Sequence, residues 1–246
     1  MTPSDAEAQS RPFLTTRWQV VLQAGEETAA PDAAAALEAL CRAYWPPLYA
    51  HVRRMGYGPE DAADLTQAFF ARLIENRGLG RADPARGRFR TFLLTALQHF
   101  VRDERDRAMT WKRGGRASLV PLDVAAAEGE YERAVAAPGP DERVYDRAWA
   151  HTVLALVRQR LLAEAEAGGR AELCAALLPA EGGEPEPYER LGARFGLSEG
   201  AVKLAAFRLR QRYRELIREE VAQTVATPAE LEEELRHLLA VVAVSA

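Results

Sequence analysis

Apolar side chains recur every three or four positions over most of the chain, the spacing that places them on one face of an α-helix. One wide apolar face lies between Phe89 and Arg107, and its members are Phe89, Phe92, Leu93, Ala96, Leu97, Phe100 and Val101. Similar patterns predict helices over residues 31–55, over residues 141–167 and from Glu199 to about Arg218. Much of the hydrophobic content is alanine and leucine, which favour helices over strands. The pattern therefore predicts an all-α protein.

Breaks in the helical pattern divide the predicted helices into two small domains. Proline and glycine interrupt residues 117–140, where acidic side chains outnumber basic ones, so this stretch is predicted to be an acidic linker. The predicted organisation is an N-terminal extension with a short helix (1–30), a first helical domain (31–116), the linker (117–140), a helix-turn-helix domain (141–226) and a C-terminal helical tail (227–246).

The net charge of −4 conceals two basic segments separated by an acidic one. Residues 76–116 carry 11 basic and 4 acidic side chains, and residues 188–218 carry 8 and 3. Residues 117–187 carry 6 basic and 13 acidic side chains. A single basic segment is as readily explained by a solvated helix face as by contact with nucleic acid. Two such segments on separate helical elements favour contact with nucleic acid.

Several function classes are excluded by what the sequence lacks. No run of about 18 apolar residues occurs and the first ten residues are polar and acidic, so neither a membrane span nor a secretory signal is expected. The protein is therefore expected to be cytoplasmic. Cys41 and Cys174 are isolated, which argues against a disulfide framework or a metal site. Because the four histidines are scattered and no phosphate-binding Gly-Lys-Ser/Thr loop occurs, an enzyme is disfavoured and no cofactor is expected.

The second domain carries a helix-turn-helix pattern. A short amphipathic helix over 188–195 precedes Gly196, and glycine suits a tight turn because it adopts positive φ without a Cβ penalty. Leu197 is expected to pack the turn into the core, and Ser198 to cap the longer helix that follows. The residues at the exposed, base-reading end of that helix are Glu199, Gly200 and Lys203. The arginines expected to neutralise phosphates are Arg190, Arg194, Arg208, Arg210, Arg212 and Arg214.

Three stretches, in this order, resemble a sigma factor of RNA polymerase, of the extracytoplasmic-function (ECF) group. Asp61–Phe70 (DAADLTQAFF) is similar to the conserved-region-2 helix, and Phe89–Arg107 to the stretch that follows it in the family. Leu197–Lys203 (LSEGAVK) is similar to the region-4 helix-turn-helix. The resemblance covers about residues 31–116 and 145–218. It implies a sigma region 2 helical bundle and a sigma region 4 domain joined by the acidic linker.

The resemblance also implies partners and site residues. The factor would bind core RNA polymerase at the β′ clamp helices and the β flap, with docking positions at Asp61, Asp64 and Gln67. It would hold the minus-10 element as single-stranded promoter DNA through Arg88, Arg90, Thr91, Gln98, His99, Arg102 and Arg105. Phe89 or Trp111 is a candidate stacking ring there, although such rings more often belong to the core. It would read the minus-35 duplex through Arg190, Arg194, Ser198, Glu199, Gly200, Lys203 and Arg208. Whether an anti-sigma factor or a kinase-based regulator controls it stays open.

Two alternatives remain at the level of sequence. A helix-turn-helix repressor or activator with an N-terminal effector or dimerisation domain would share the second domain, but only a polymerase-docking protein needs the surface of Asp64 and Gln67. The tail helix that starts at Thr227-Pro228 either packs on its own domain or competes with DNA for the basic surface. In the second case, deletion of residues 227–246 is expected to raise promoter binding or transcription.

Overall fold

The computed structural model describes residues 31–75, 88–108, 123–136, 143–178, 186–225 and 227–245. In these ranges the protein forms helices and no strand, which confirms the predicted all-α class. The helices are α1 (Pro31–Arg54), α2 (Pro59–Glu75), α3 (Phe89–Ala108), α4 (Val124–Ala136), α5 (Val144–Ala167), α6 (Ala171–Leu177), α7 (Tyr188–Phe195), α8 (Glu199–Ala222) and α9 (Pro228–Ser245). None of them is long and apolar enough to cross a membrane. The short helix predicted in residues 1–30, the loop over 76–87 and the basic residues of 109–116 lie outside the described residues.

The chain divides into two compact units, and the division differs from the predicted domains. The second unit contains Ala150–Glu220, the central part of the predicted helix-turn-helix domain. The first unit contains the described residues up to Trp149 together with those from Val221 onward. The boundaries therefore fall within α5 and within α8, and the predicted C-terminal tail, residues 227–246, is grouped with the first unit.

The first unit is organised around α1, whose second half is almost fully buried. Tyr44 and Leu48 of α1 lie in the core, and the ring of Tyr44 meets that of Phe89 edge-on with centroids 5.3 Å apart. Phe69 of α2 and Phe100 of α3 form a second T-shaped pair at 5.8 Å. Burial of each such ring stabilises the unit by about 1.5–3 kcal/mol. Because these apolar faces point inward, the polar faces of α2 and α3 lie on the surface.

Part of the segment predicted to be a linker is instead a helix. α4 packs along α1, with Ala127 and Ala134 fully buried. Glu128 accepts hydrogen bonds from the Tyr49 hydroxyl and from Arg53, whose Nη2 lies 2.6 Å from Glu128 Oε1. The bond from Arg53 holds the pKa of the Glu128 carboxyl below its ordinary value. Small alanines and one ion pair suffice for this docking, so α4 lacks the large apolar residues that mark a core helix in a sequence.

The second unit contains α6, α7 and the parts of α5 and α8 that lie within its bounds. Its central cluster consists of Val157, Leu161, Cys174 and Leu216, all buried. Leu209 and Tyr213 pack against this cluster, and Val202 and Ala206 are buried. The apolar face of α8 therefore packs inward, and the opposite side of that helix is left to solvent.

Candidate nucleic-acid interface

The two helices α7 and α8 and the turn between them form as the local sequence predicts. α7 ends at Gly196, whose φ is +66°, and the N–H of Ala201 donates to Ser198 Oγ at 3.2 Å at the start of α8. A second glycine, Gly192, also matters. A Cβ at that position would lie 2.7 Å from the carbonyl oxygen of Leu197, so only glycine lets α7 approach the turn this closely. The local sequence pattern around Gly192 does not reveal this requirement, because the oxygen that excludes a Cβ belongs to the turn five residues later.

Leu197 does not pack the turn into the core as predicted, since it is 40% exposed. Its N–H donates to the Gly192 carbonyl at 2.9 Å, so its backbone rather than its side chain rests on α7. The side chain lies at an apolar groove of about 450 Å³ in the second unit. Its apolar lining also includes Leu161, Ala165, Leu173, Cys174, Leu177, Ala201, Leu204, Ala205 and Leu209, and the charged residues Glu164, Arg170, Arg208 and Arg212 line it as well.

The N-terminal end of α8 presents the predicted base-reading residues to solvent. Glu199, Gly200 and Lys203 are all exposed, and Lys203 Nζ lies 2.7 Å from Glu199 Oε1. This hydrogen bond raises the pKa of the Lys203 ammonium. One turn further, Phe207 is 60% exposed. It was missed by sequence reasoning, although it follows Lys203 by four positions and so shares its face. A charged group and an apolar ring on one face can contact a base edge and a thymine methyl group together.

The arginines around the helix-turn-helix fall into two groups. Arg190 and Arg208 are exposed, and so is Arg194, whose guanidinium lies 3.5 Å from the Glu186 carboxylate. Arg212 differs, because carboxylates of the second unit surround it. Its guanidinium contacts Glu164 at 2.9 Å, Glu215 at 3.2 Å and Glu219 at 3.0 Å. Arg212 is therefore held within the unit rather than presented to a phosphate.

In the first unit, α2 has one buried face and one polar face. The buried residues are Ala62, Thr66, Phe69, Phe70 and Leu73. Asp61 and Asp64 are exposed and Gln67 is half-buried, so the three predicted docking residues lie off the core on one helix. Within the described ranges, no group of three or more His, Cys, Asp or Glu side chains is arranged to hold a metal ion.

The outer face of α3 carries five of the seven predicted minus-10 residues. The exposed ones are Thr91, Gln98, His99, Arg102 and Arg105. A cavity of about 460 Å³ opens beside them, between α3 and the turn that joins α1 to α2. Arg102 and Arg105 line it together with Met55, Gly56, Tyr57 and Val101. Two guanidinium groups in one lining favour an anionic occupant.

Of the two rings considered as stacking surfaces, only Phe89 lies among the described residues. Phe89 is buried against Tyr44 and belongs to the core. Trp111 lies outside the described residues. Tyr57, which sequence reasoning missed, is half-buried in the lining that also contains Arg102 and Arg105.

The remaining two predicted minus-10 residues, Arg88 and Arg90, are engaged by α9. Arg90 is only 9% exposed; its Nε donates to Glu234, and its Nη1 lies 2.5 Å from Asp146 Oδ1. Arg88 places Nη2 2.8 Å from Glu233 Oε2 and Nη1 3.0 Å from Glu234 Oε2. We call these five side chains the clasp. Arg90 is thus a buried ion-pair partner and not a side chain presented to DNA, which corrects its predicted role.

Opposite charges dominate the electrostatics of the clasp. Burial alone would lower the pKa of the Arg90 guanidinium, but attraction to Glu234 and Asp146 outweighs it and raises the pKa. Burial would raise the pKa of Asp146, but its contact with His237 and the charge of Arg90 lower it. The guanidinium of Arg90 also lies 5.3 Å from the ring centroid of Trp149. The clasp is therefore a charged cluster that connects α3, α5 and α9.

Comparison with known proteins identifies the helices of the first unit. Residues 40–110, which span most of α1 and all of α2 and α3, match the family model of sigma-70 region 2. No curated protein and no solved structure matches the chain. Region 2 supports a role in promoter recognition and RNA polymerase binding. The match over residues 40–110 supports kinship of this part of the chain with the sigma-70 family, whose members are non-enzymatic factors of transcription initiation.

Proposed function

We propose that the chain is a sigma factor of the ECF group. It docks on core RNA polymerase through α2, holds the minus-10 element as a single strand against α3, and reads the minus-35 duplex with α8. The observation that carries the proposal is the order of parts: the residues that match sigma-70 region 2 are followed in the same chain by two helices joined by a tight turn at Gly196. In this role the protein acts in the cytoplasm, with the β′ clamp helices and the β flap of the polymerase as partners and an anti-sigma factor or kinase as a candidate regulator.

The docking surface on α2 is supported by where its polar residues lie. Asp61, Asp64 and Gln67 share a helix whose other face is filled by phenylalanines and leucine, so they are not needed for the core. An acidic surface of this kind suits a partner helix that carries basic side chains, because complementary charge speeds encounter and fixes register.

Run-off transcription tests the docking surface and the proposal together. With purified core polymerase and a library of promoter fragments, the wild-type protein should direct initiation at specific sites. Asp64→Ala combined with Gln67→Ala should reduce that initiation about ten-fold or more, because the variant loses polar contacts to the polymerase. The control is Glu75→Ala, which removes an exposed acid from the end of the same helix.

Two other results would change the proposal. If the wild-type protein gives no specific initiation but the full chain binds duplex DNA tightly, the protein is a helix-turn-helix regulator instead. If Glu75→Ala reduces initiation as much as the double variant does, the loss reflects general charge on α2 and not a docking surface.

The single-stranded site on α3 is supported by charge, shape and an aromatic ring. Arg102 and Arg105 supply cations for the backbone, and Gln98 and Thr91 supply hydrogen-bonding groups on the same exposed face. The cavity that Tyr57 lines is within the volume range of pockets that bury a small ligand. Unstacking a base costs a few kcal/mol, and a pocket that holds the base on a ring with nearby cations recovers this energy.

Lys203 should be a base-reading residue at the minus-35 duplex. We expect Lys203→Ala to weaken binding to the preferred duplex about ten-fold and to leave binding to unrelated duplexes nearly unchanged. Fluorescence anisotropy with both duplexes measures this difference. Arg214→Ala is the matched comparison, because an exposed arginine further along α8 should contact phosphate and lose affinity equally on every sequence. An equal loss for Lys203→Ala would reassign Lys203 to a phosphate.

A further inference from the structure

α9 is seated firmly in the first unit and carries two adjacent carboxylates to α3. Leu231, Leu238 and Val241 of α9 are buried, which fixes the helix in place. Glu233 and Glu234 then meet the two arginines at the start of α3 in the contacts of the clasp. The helix therefore supplies negative charge to one end of the face where the promoter strand is proposed to bind.

Among the ion pairs of the clasp, Arg90–Glu234 and Arg88–Glu233 differ in exposure, and the difference separates their roles. Glu234 is 2% exposed and its pairing with Arg90 is sealed from solvent. The side chains of Glu233 and Arg88 are 51% and 28% exposed, so solvent and ions reach that pair. A phosphate can therefore compete for Arg88, since guanidinium binds carboxylate and phosphate through the same donor geometry.

We propose that α9 is an autoinhibitory element in which Glu233 occupies Arg88 in place of a phosphate of single-stranded promoter DNA. The buried pair of Glu234 and Arg90 holds Glu233 at that position. The inference rests on the proposed role of α3 in holding the minus-10 strand. Arg102 and Arg105 remain exposed on the same helix, so the strand can contact them while Glu233 still occupies Arg88.

The test uses the full chain and a fluorescein-labelled single-stranded oligonucleotide that carries a promoter minus-10 sequence. Glu233→Gln should tighten binding about three-fold at low salt, because the Arg88 group that faces Glu233 becomes available to a phosphate while its other nitrogen stays paired with Glu234. The dependence of log Kd on log salt should steepen by about 0.7, the value for one added phosphate contact on a single strand. Deletion of residues 227–246 should tighten binding further, about ten-fold.

The control is Glu232→Gln, which removes the same charge from the neighbouring position of α9 and should change neither affinity nor salt dependence. Thermal unfolding followed by circular dichroism shows whether each variant folds. If the deletion variant does not fold, Glu233→Gln decides the matter, because its exposed pair contributes little to stability. The proposal is overturned if folded Glu233→Gln binds like the wild type or like Glu232→Gln.

Run-off transcription of the same proteins separates this inference from the proposed function. If the wild type supports specific initiation but no variant binds the single strand more tightly, α9 is only a structural helix and the sigma-factor role stands. If neither the wild type nor any variant binds the oligonucleotide although initiation is normal, then α9 is not what keeps the strand from α3. The inference is again overturned. If the wild type fails to initiate, the proposed function itself fails.

Discussion

Replacing Arg90 by alanine should lower the free energy of unfolding of the first unit by about 3–5 kcal/mol. The reason is the charge that the replacement leaves behind. Glu234 is almost fully buried and Asp146 lies 2.5 Å from the arginine, so both carboxylates lose their nearest cation in a low-dielectric site. Arg88 lies 3.0 Å from Glu234 and takes up part of that charge, which places the expected effect near the lower end of the range.

Urea unfolding followed by circular dichroism and tryptophan fluorescence measures the effect. The double variant Arg90→Met with Glu234→Met should recover at least half of the loss, because apolar side chains of similar volume replace a buried pair at little cost. Arg42→Ala is the control, since it breaks an exposed pair with Glu38 on α1 and should change the free energy by less than about 1 kcal/mol. A loss of under about 1 kcal/mol for Arg90→Ala would mean that the clasp does not stabilise the unit.

Replacing Gly192 by alanine should destabilise the second unit by about 1–3 kcal/mol. Helix preference alone predicts the opposite effect, because alanine inside a helix is ordinarily about 1 kcal/mol more favourable than glycine. The new Cβ would lie 2.7 Å from a backbone oxygen of the turn, and backbone cannot move aside as a flexible side chain does. α7 must therefore shift away from the turn, which disturbs the approach of α7 to α8.

Amide hydrogen exchange across α7 and α8, together with urea unfolding of the full chain, measures this destabilisation. Faster exchange should be confined to the second unit. Gly200→Ala is the matched control, since a Cβ there meets nothing within 4 Å, and it should leave stability unchanged or slightly raised. If Gly192→Ala raises the stability as intrinsic helix preference predicts, then the close approach of α7 to the turn is not a constraint.

The features that the sequence predicted correctly depend on residues that are close together along the chain. Gly196 and Ser198 act through their own backbone and through an N–H three positions away, so a short stretch of sequence contains the whole signal. The same is true of the polar face of α2, since helical periodicity alone determines which residues share a face. These features made the all-α class and the turn between α7 and α8 predictable.

The features that the sequence did not predict depend on partners that are far away along the chain. Arg90 was assigned to DNA because it lies on the polar side of an amphipathic helix, but its fate is decided by Asp146 and Glu234, which are 56 and 144 residues away along the chain. Arg212 is similar, because Glu164 lies 48 residues before it. Helical periodicity shows that a charged residue lies off the apolar face, but it does not show which carboxylate will pair with it.

The helix α9 has a consequence for how the protein is made. Because the first unit consists of residues before Ala150 and after Glu220, its amino-terminal part leaves the ribosome well before the helix that completes it. Synthesis proceeds at about 5–20 residues per second, so the wait lasts several seconds. During that interval Arg90 lacks Glu234, and the apolar surface destined for Leu231 and Leu238 is uncovered. The nascent chain therefore passes through a stage in which chaperones have a binding site that the finished protein no longer offers.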